Sequence, residues 1–145
     1  MIEVYTDGAS KGNPGRASIG IVIRKDNQTY TYKEEIGITT NNVAEYHALL
    51  KALNLLIQKQ WSGENIRIYT DSELLYKQIT GIYKVRSREL KSLYEKVSNL
   101  LKSFPSLEIT WVPREANQRA DRLANEALNE KKFPDRKREQ RAEKE

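Results

Sequence analysis

Hydrophobic and polar positions change their period several times along the chain. Ile2 to Asp7 reads as a short strand running into Asp7-Gly8-Ala9-Ser10-Lys11-Gly12-Asn13-Pro14-Gly15, a stretch dense in turn-forming residues. Ser18 to Arg24 carries Ile19, Ile21, Val22 and Ile23 and predicts a second strand. Thr29 to Ile36 alternates as a third, joined to the second by a hairpin turn at Asp26-Asn27. Helical spacing then takes over: Leu49, Ala52, Leu53 and Leu56 mark one face of a long helix reaching about Lys59, with Asn41 or Asn42 as its cap. A fourth strand at Ile66–Thr70 precedes a short helix near Ser72–Thr80, stopped by Gly81. Arg88–Leu101 predicts an amphipathic helix, Leu107–Val112 a fifth strand closed by Pro113, and Ala116–Asn129 a last helix. The inner face of that helix is Ala120, Leu123, Ala124, Ala127 and Leu128. Three strands followed by alternating helices and strands predict an α/β fold, one mixed sheet covered by helices.

Composition narrows the chemistry. The 145 residues fit one domain, expected over 1–130, with 131–145 as a charged, flexible tail. No cysteine is present, so thiolate nucleophiles, disulfide scaffolds and cysteine zinc sites are excluded. His47 is the single histidine, too little for a Ser-His-Asp triad or a multi-histidine metal site. With a mean hydropathy of -0.76 and no long apolar run, a soluble cytoplasmic protein is expected, monomeric by default and without a membrane partner. The net charge is +5, unevenly placed. Residues 77–102 hold seven basic groups against two acidic ones, and Tyr76, Tyr83 and Tyr94 lie among Lys77, Lys84, Arg86, Arg88, Lys91 and Lys96. Such interleaving suits a phosphate backbone, but taken alone it reads first as a solvated amphipathic helix with buried tyrosines.

Carboxylates carry the remaining signal. Two strands end on the same tripeptide, Tyr5-Thr6-Asp7 and Tyr69-Thr70-Asp71. If these strands are parallel neighbours, both aspartates emerge on one edge, where open α/β sheets bind ligands. Glu45 lies four residues before Leu49 and so extends the apolar stripe of the long helix; Asp121 borders the inner face of the last one. Each acid has an ordinary alternative, as turn residue, helix cap, dipole partner or surface ion pair. Taken together, those alternatives leave two acids turned toward a core without partners. Two carboxylates 4 Å apart repel by about 4 kcal/mol at an effective dielectric of 20, so such a cluster calls for a cation. All-oxygen ligands favour Mg²⁺ or Mn²⁺.

The motifs D-G-x-x-x-x-N-P-G from Asp7, T-N-N-x-x-E from Thr40, T-D-S from Thr70 and A-D-x-L-A from Ala120 occur in that order and spacing. In this combination the chain resembles type 1 ribonucleases H over roughly residues 1–129. The resemblance implies a five-stranded mixed sheet, three strands antiparallel and then two parallel, flanked by helices. It implies two-metal hydrolysis of the RNA strand of RNA–DNA hybrids, leaving 5′-phosphate and 3′-hydroxyl ends. Two Mg²⁺ ions, or Mn²⁺, would be held by Asp7, Glu45, Asp71 and Asp121. Asp7 would bridge them, Asp121 would serve the water-activating ion, and Glu45 and Asp71 the ion at the leaving oxygen. Ser10, Asn13 and Asn42 would meet the 2′-hydroxyl, while Thr40 and Asn41 would grip the DNA backbone. The loop Trp111–Asn117 lacks the histidine of many relatives, which makes Arg114 the candidate in its place, and no basic protrusion follows Gly81. His47, about 200° round the helix from Glu45, is a bystander. A fold that binds nucleic acid with impaired catalysis is the competing expectation.

Overall fold

The computed structural model describes residues 1–130 and the backbone of 138–142. Six strands form one sheet: β1 (Ile2–Gly12), β2 (Gly15–Lys25), β3 (Gln28–Thr39), β4 (Ile66–Thr70), β5 (Leu107–Trp111) and β6 (Arg138–Ala142). Their order is β5-β4-β1-β2-β3-β6. β1 pairs antiparallel with β2 and parallel with β4; β2–β3 is antiparallel and β4–β5 parallel. The five expected strands thus form, three antiparallel and then two parallel. β6 adds antiparallel to the outer edge of β3, from Thr29↔Ala142 to Lys33↔Arg138, within the stretch expected to be a flexible tail. The free edge of β3 supplies the hydrogen-bonding row that a local reading of a charged segment does not register. Residues 131–137 and 143–145, also expected in that tail, lie outside the described residues.

The first hairpin is longer than its residue types suggest. β1 continues through Gly8, Lys11 and Gly12, and β2 begins at Gly15, because each residue from Glu3 to Gly12 finds a partner on β2. Asp7 is therefore inside β1, opposite Gly20, and not at a strand end.

Helices cover both faces. α1 (Asn41–Gln58), α2 (Glu73–Ile79), α3 (Arg88–Leu101) and α4 (Gln118–Asn129) follow their apolar spacings, with a 3₁₀ turn at Arg114–Asn117 leading into α4. Thr40, not Asn41 or Asn42, caps α1: its backbone is extended and its Oγ1 accepts from the Val43 N–H at 3.2 Å. Ser72 and Ser87 cap α2 and α3 in the same manner, and Gly81 ends the α2 region at φ +86°. Ile19, Ile21 and Ile23 of β2 join Val4, Leu49, Leu53, Leu56 and Val97 in the core beneath α1 and α3. Gly20, on the opposite face of β2 by alternation, meets α4.

Two glycines set these approaches. A Cβ on Gly8 would stand 2.3 Å from the Ala44 carbonyl carbon of α1, and one on Gly20 would stand 2.3 Å from the Ala120 oxygen of α4. They let the helix carrying Glu45 press onto β1 and the helix carrying Asp121 press onto β2, from opposite faces of the sheet. In the basic stretch, Leu90, Leu93 and Val97 anchor α3. Lys77 Nζ lies 5.0 Å from the Tyr83 ring centroid and 5.7 Å from that of Trp111. No helix among the described residues is long and apolar enough to cross a membrane.

Candidate active site

β1 and β4 run side by side only as far as Tyr5↔Tyr69. β4 ends at Thr70 while β1 continues to Gly12, and a crevice opens beside Asp7, Gly8 and Ser10. Asp71 follows the end of β4, Glu45 comes from the first turn and a half of α1, and one oxygen from each of Asp7, Glu45 and Asp71 lies within 4.8 Å of the others. Asp7 and Glu45 are buried and Asp71 is half-buried. The Gly8 N–H donates to Glu45 Oε1 at 3.1 Å.

Like charges in a buried place resist ionisation. Asp7 is held far above the ordinary carboxylate range, first by burial, then by the charges of Glu45 and Asp71, with Asp121 adding to both. Glu45 is raised by burial and by Asp71, and is drawn back by the Gly8 N–H and the Arg114 charge. Asp71 is raised mainly by burial, against a hydrogen bond from Asn117 and the charge of Arg114. One exposed guanidinium does not neutralise the set. The cluster fits a hard divalent cation: its donors are all carboxylate oxygens, and a cation would restore the charge that burial suppresses.

A cleft of about 450 Å³ surrounds these acids. Asp121 lines it beside Asp7 but stands outside the tight three-oxygen group; Asn125 Nδ2 donates to its Oδ1 at 3.3 Å. Arg114, Ser10 and Asn41 also line the cleft. Asn13, Thr40 and Asn42 do not. Asn13 sits at the β1–β2 turn, where its Oδ1 accepts from the Asn41 N–H at 2.9 Å, so it braces the cleft wall. Thr40 is occupied in capping α1, and Asn42 is exposed on the first turn of that helix. His47 lines a separate cleft with Glu34, Ile36 and Lys51, away from the acids; burial and Lys96 depress its pKa.

Two site residues escape the sequence reading. Gly8 was legible only as a turn former, and Asn117 only as a polar residue near a helix start. Asn117 is 1% exposed, and its amide donates to the Thr6 carbonyl at 2.8 Å and to Asp71 Oδ2 at 3.3 Å. The one available signal was its place four residues before Asp121, one helical turn away along the same face.

A strand-borne aspartate, ringed by acids from a helix, a strand end and a second helix over a mixed sheet, defines a carboxylate-cluster site of the kind that holds divalent cations. Residues 5–127 match the family model described as "Reverse transcriptase-like". Ribonuclease HI of Halobacterium salinarum is 39% identical over 131 residues, 89% of this chain and 65% of the relative. Its crystal structure superposes with a TM-score of 0.80 over 88% of this chain and 97% of that one, at 38% identity. LC11-RNase H1, solved in complex with an RNA/DNA hybrid, gives a TM-score of 0.82 at 40% identity, covering 89% of this chain and 97% of its own. A bifunctional protein of Mycobacterium tuberculosis is 37% identical over 88% of this chain, which spans 35% of its length. The chain belongs to the type 1 ribonuclease H family. It spans about two thirds of the halobacterial relative and about a third of the mycobacterial one.

Proposed function

We propose that this chain is an endoribonuclease that hydrolyses the RNA strand of RNA–DNA hybrids with the help of two Mg²⁺ ions, Mn²⁺ being able to substitute. The observation that carries the proposal is the group of Asp7, Glu45 and Asp71, three carboxylates gathered in a half-closed cleft with their proton affinities raised. Asp7, Glu45 and Asp71 would hold the cations, with Asp121 completing the shell at the side of Asp7. When bound, the cations would neutralise the scissile phosphate and lower the pKa of the attacking water. The water gives up a proton as its oxygen bonds to phosphorus and the P–O3′ bond breaks, and the departing O3′ takes up a proton from solvent, leaving a 5′-phosphate and a 3′-hydroxyl.

The chain's own residues supply position and selectivity. Arg114 lies over the side of the cleft where its charge already acts on Glu45 and Asp71, so it can hold a phosphate oxygen there. Ser10 offers a hydroxyl at the cleft wall, suited to a 2′-hydroxyl that DNA lacks. Asn41 faces the same cleft and Asn13 fixes the Asn41 main chain, so both serve strand placement; Thr40 acts by holding the start of α1, and Asn42 presents an exposed amide beside it. The complex of LC11-RNase H1 with an RNA/DNA hybrid supports this substrate class. A labelled hybrid incubated with Mg²⁺, with DNA duplex and RNA duplex as controls, tests the proposal. RNA-strand cleavage in the hybrid alone supports it; hybrid binding without cleavage would make the chain an impaired binding module of the same fold.

A further inference from the structure

Asparagine is among the best helix caps because its side-chain oxygen accepts from a free N–H of the first turn. Asn117 occupies the capping position of α4 and does not do this. Its Nδ2 turns to the Thr6 carbonyl and to Asp71 Oδ2. The Thr6 carbonyl belongs to an acceptor only, so the amide nitrogen must face it, and Oδ1 is thereby turned away. That oxygen is buried without a hydrogen-bond partner. Helix capping and one buried acceptor are both given up to keep a single bridge.

The bridge joins two segments that the sheet has just let go. β1–β4 pairing stops at Tyr5↔Tyr69, and although the Thr6 hydroxyl still reaches the Tyr69 carbonyl at 3.4 Å, no strand pairing sets the distance from β1 to Asp71. Asp7 follows on one side of that gap and Asp71 on the other. We infer that Asn117 is a positioning residue of the metal site: its amide replaces the missing strand pairing and fixes the Asp71 carboxylate relative to Asp7. It also carries α4, and hence Asp121, in register with that pair. This rests on the acid cluster being a cation site, and extends it to a residue with no place among the ligands.

Mn²⁺ binding followed by electron paramagnetic resonance, without nucleic acid, tests the inference. Outer partners of metal ligands change affinity by roughly 10–100-fold when removed, so Asn117→Ala should weaken Mn²⁺ binding by at least about 10-fold. Its circular dichroism in EDTA should stay that of the wild type. In an Asp71→Asn background the same substitution should cost a smaller factor than in the wild type, since the carboxylate it bonds directly is gone and only its hold on β1 and α4 remains. Asn117→Ser, which keeps a donor on a shorter stem, should recover part of the affinity and serves in place of the alanine variant if that one unfolds. In the wild type, the Asn117 side-chain amide resonances should shift when Mg²⁺ is added. Unchanged Mn²⁺ affinity, full additivity with Asp71→Asn, or amide resonances indifferent to Mg²⁺ would each overturn the assignment. A wild type that binds no Mn²⁺ overturns the cation site itself, and is told apart by failing before any substitution is made.

Discussion

Replacing Asp7 by Asn removes one of three carboxylates whose oxygens lie within 4.8 Å of one another. At that distance and an effective dielectric of 20, each fully charged pair repels by about 3.5 kcal/mol. Protonation relieves part of this, because burial and the neighbouring acids push Asp7 up to about 10 and Glu45 up to about 8. The sign of the pH dependence follows. A carboxyl whose folded pKa stands above its unfolded value, about 4, binds its proton more tightly in the folded state. Its effect on stability is therefore least harmful in acid and grows worse as pH climbs from about 4 through the folded values. Metal-free wild type should lose stability between pH 5 and pH 8 on account of this cluster, and Asp7→Asn should flatten that slope. At pH 8 the variant should gain about 1–3 kcal/mol, or roughly 4–12 °C in Tm at about 4 °C per kcal/mol. Calorimetry in EDTA at both pH values measures this. Added Mg²⁺ should then raise the Tm of the wild type more than that of the variant, and hybrid cleavage by the variant should be lost. A metal-free variant less stable than the wild type at pH 8, or one that cleaves normally, would refute the reasoning.

Three further outcomes are expected. Arg114→Ala should slow hybrid turnover by about tenfold, the worth of one charge-assisted hydrogen bond near 1.5 kcal/mol, whereas His47→Ala should retain most activity; steady-state rates on a labelled hybrid decide. Gly20→Ala drives a Cβ into the Ala120 carbonyl and should cost about 1–3 kcal/mol in urea unfolding, with activity falling as α4 and Asp121 back away; unaltered stability would count against the packing argument. Replacing exposed Lys84, Arg86 and Arg88 by Ala should flatten the plot of log affinity against log salt by up to about 2.7, at roughly 0.9 per phosphate released, measured with Ca²⁺ in place of Mg²⁺; an unchanged slope would place these charges off the hybrid.

Much was determined by the sequence by itself, and it was what local periodicity can express. α3 spans Arg88–Leu101 as its leucine spacing predicts, and β4 spans Ile66–Thr70. The four acids stood out because acids that close an apolar strand pattern or sit on an apolar helix face are costly without a partner, and that is visible without knowing any distance, even though Asp7 proves to lie inside β1. Tertiary structure alone decided the rest, wherever a residue's role depends on a partner far along the chain. β1 runs on past Asp7 through residues that locally favour turns, because β2 offers it an unbroken ladder. Gly8 became a donor to Glu45 only when α1 was pressed against β1, across 37 residues. β6 depends on the open edge of β3, and the bridge from Asn117 to Thr6 spans 111 residues. Spacing along a helix or strand reports which face a side chain takes; it carries no information on which strand stops first, and here the crevice, the acid cluster and its asparagine brace all follow from β4 ending while β1 continues.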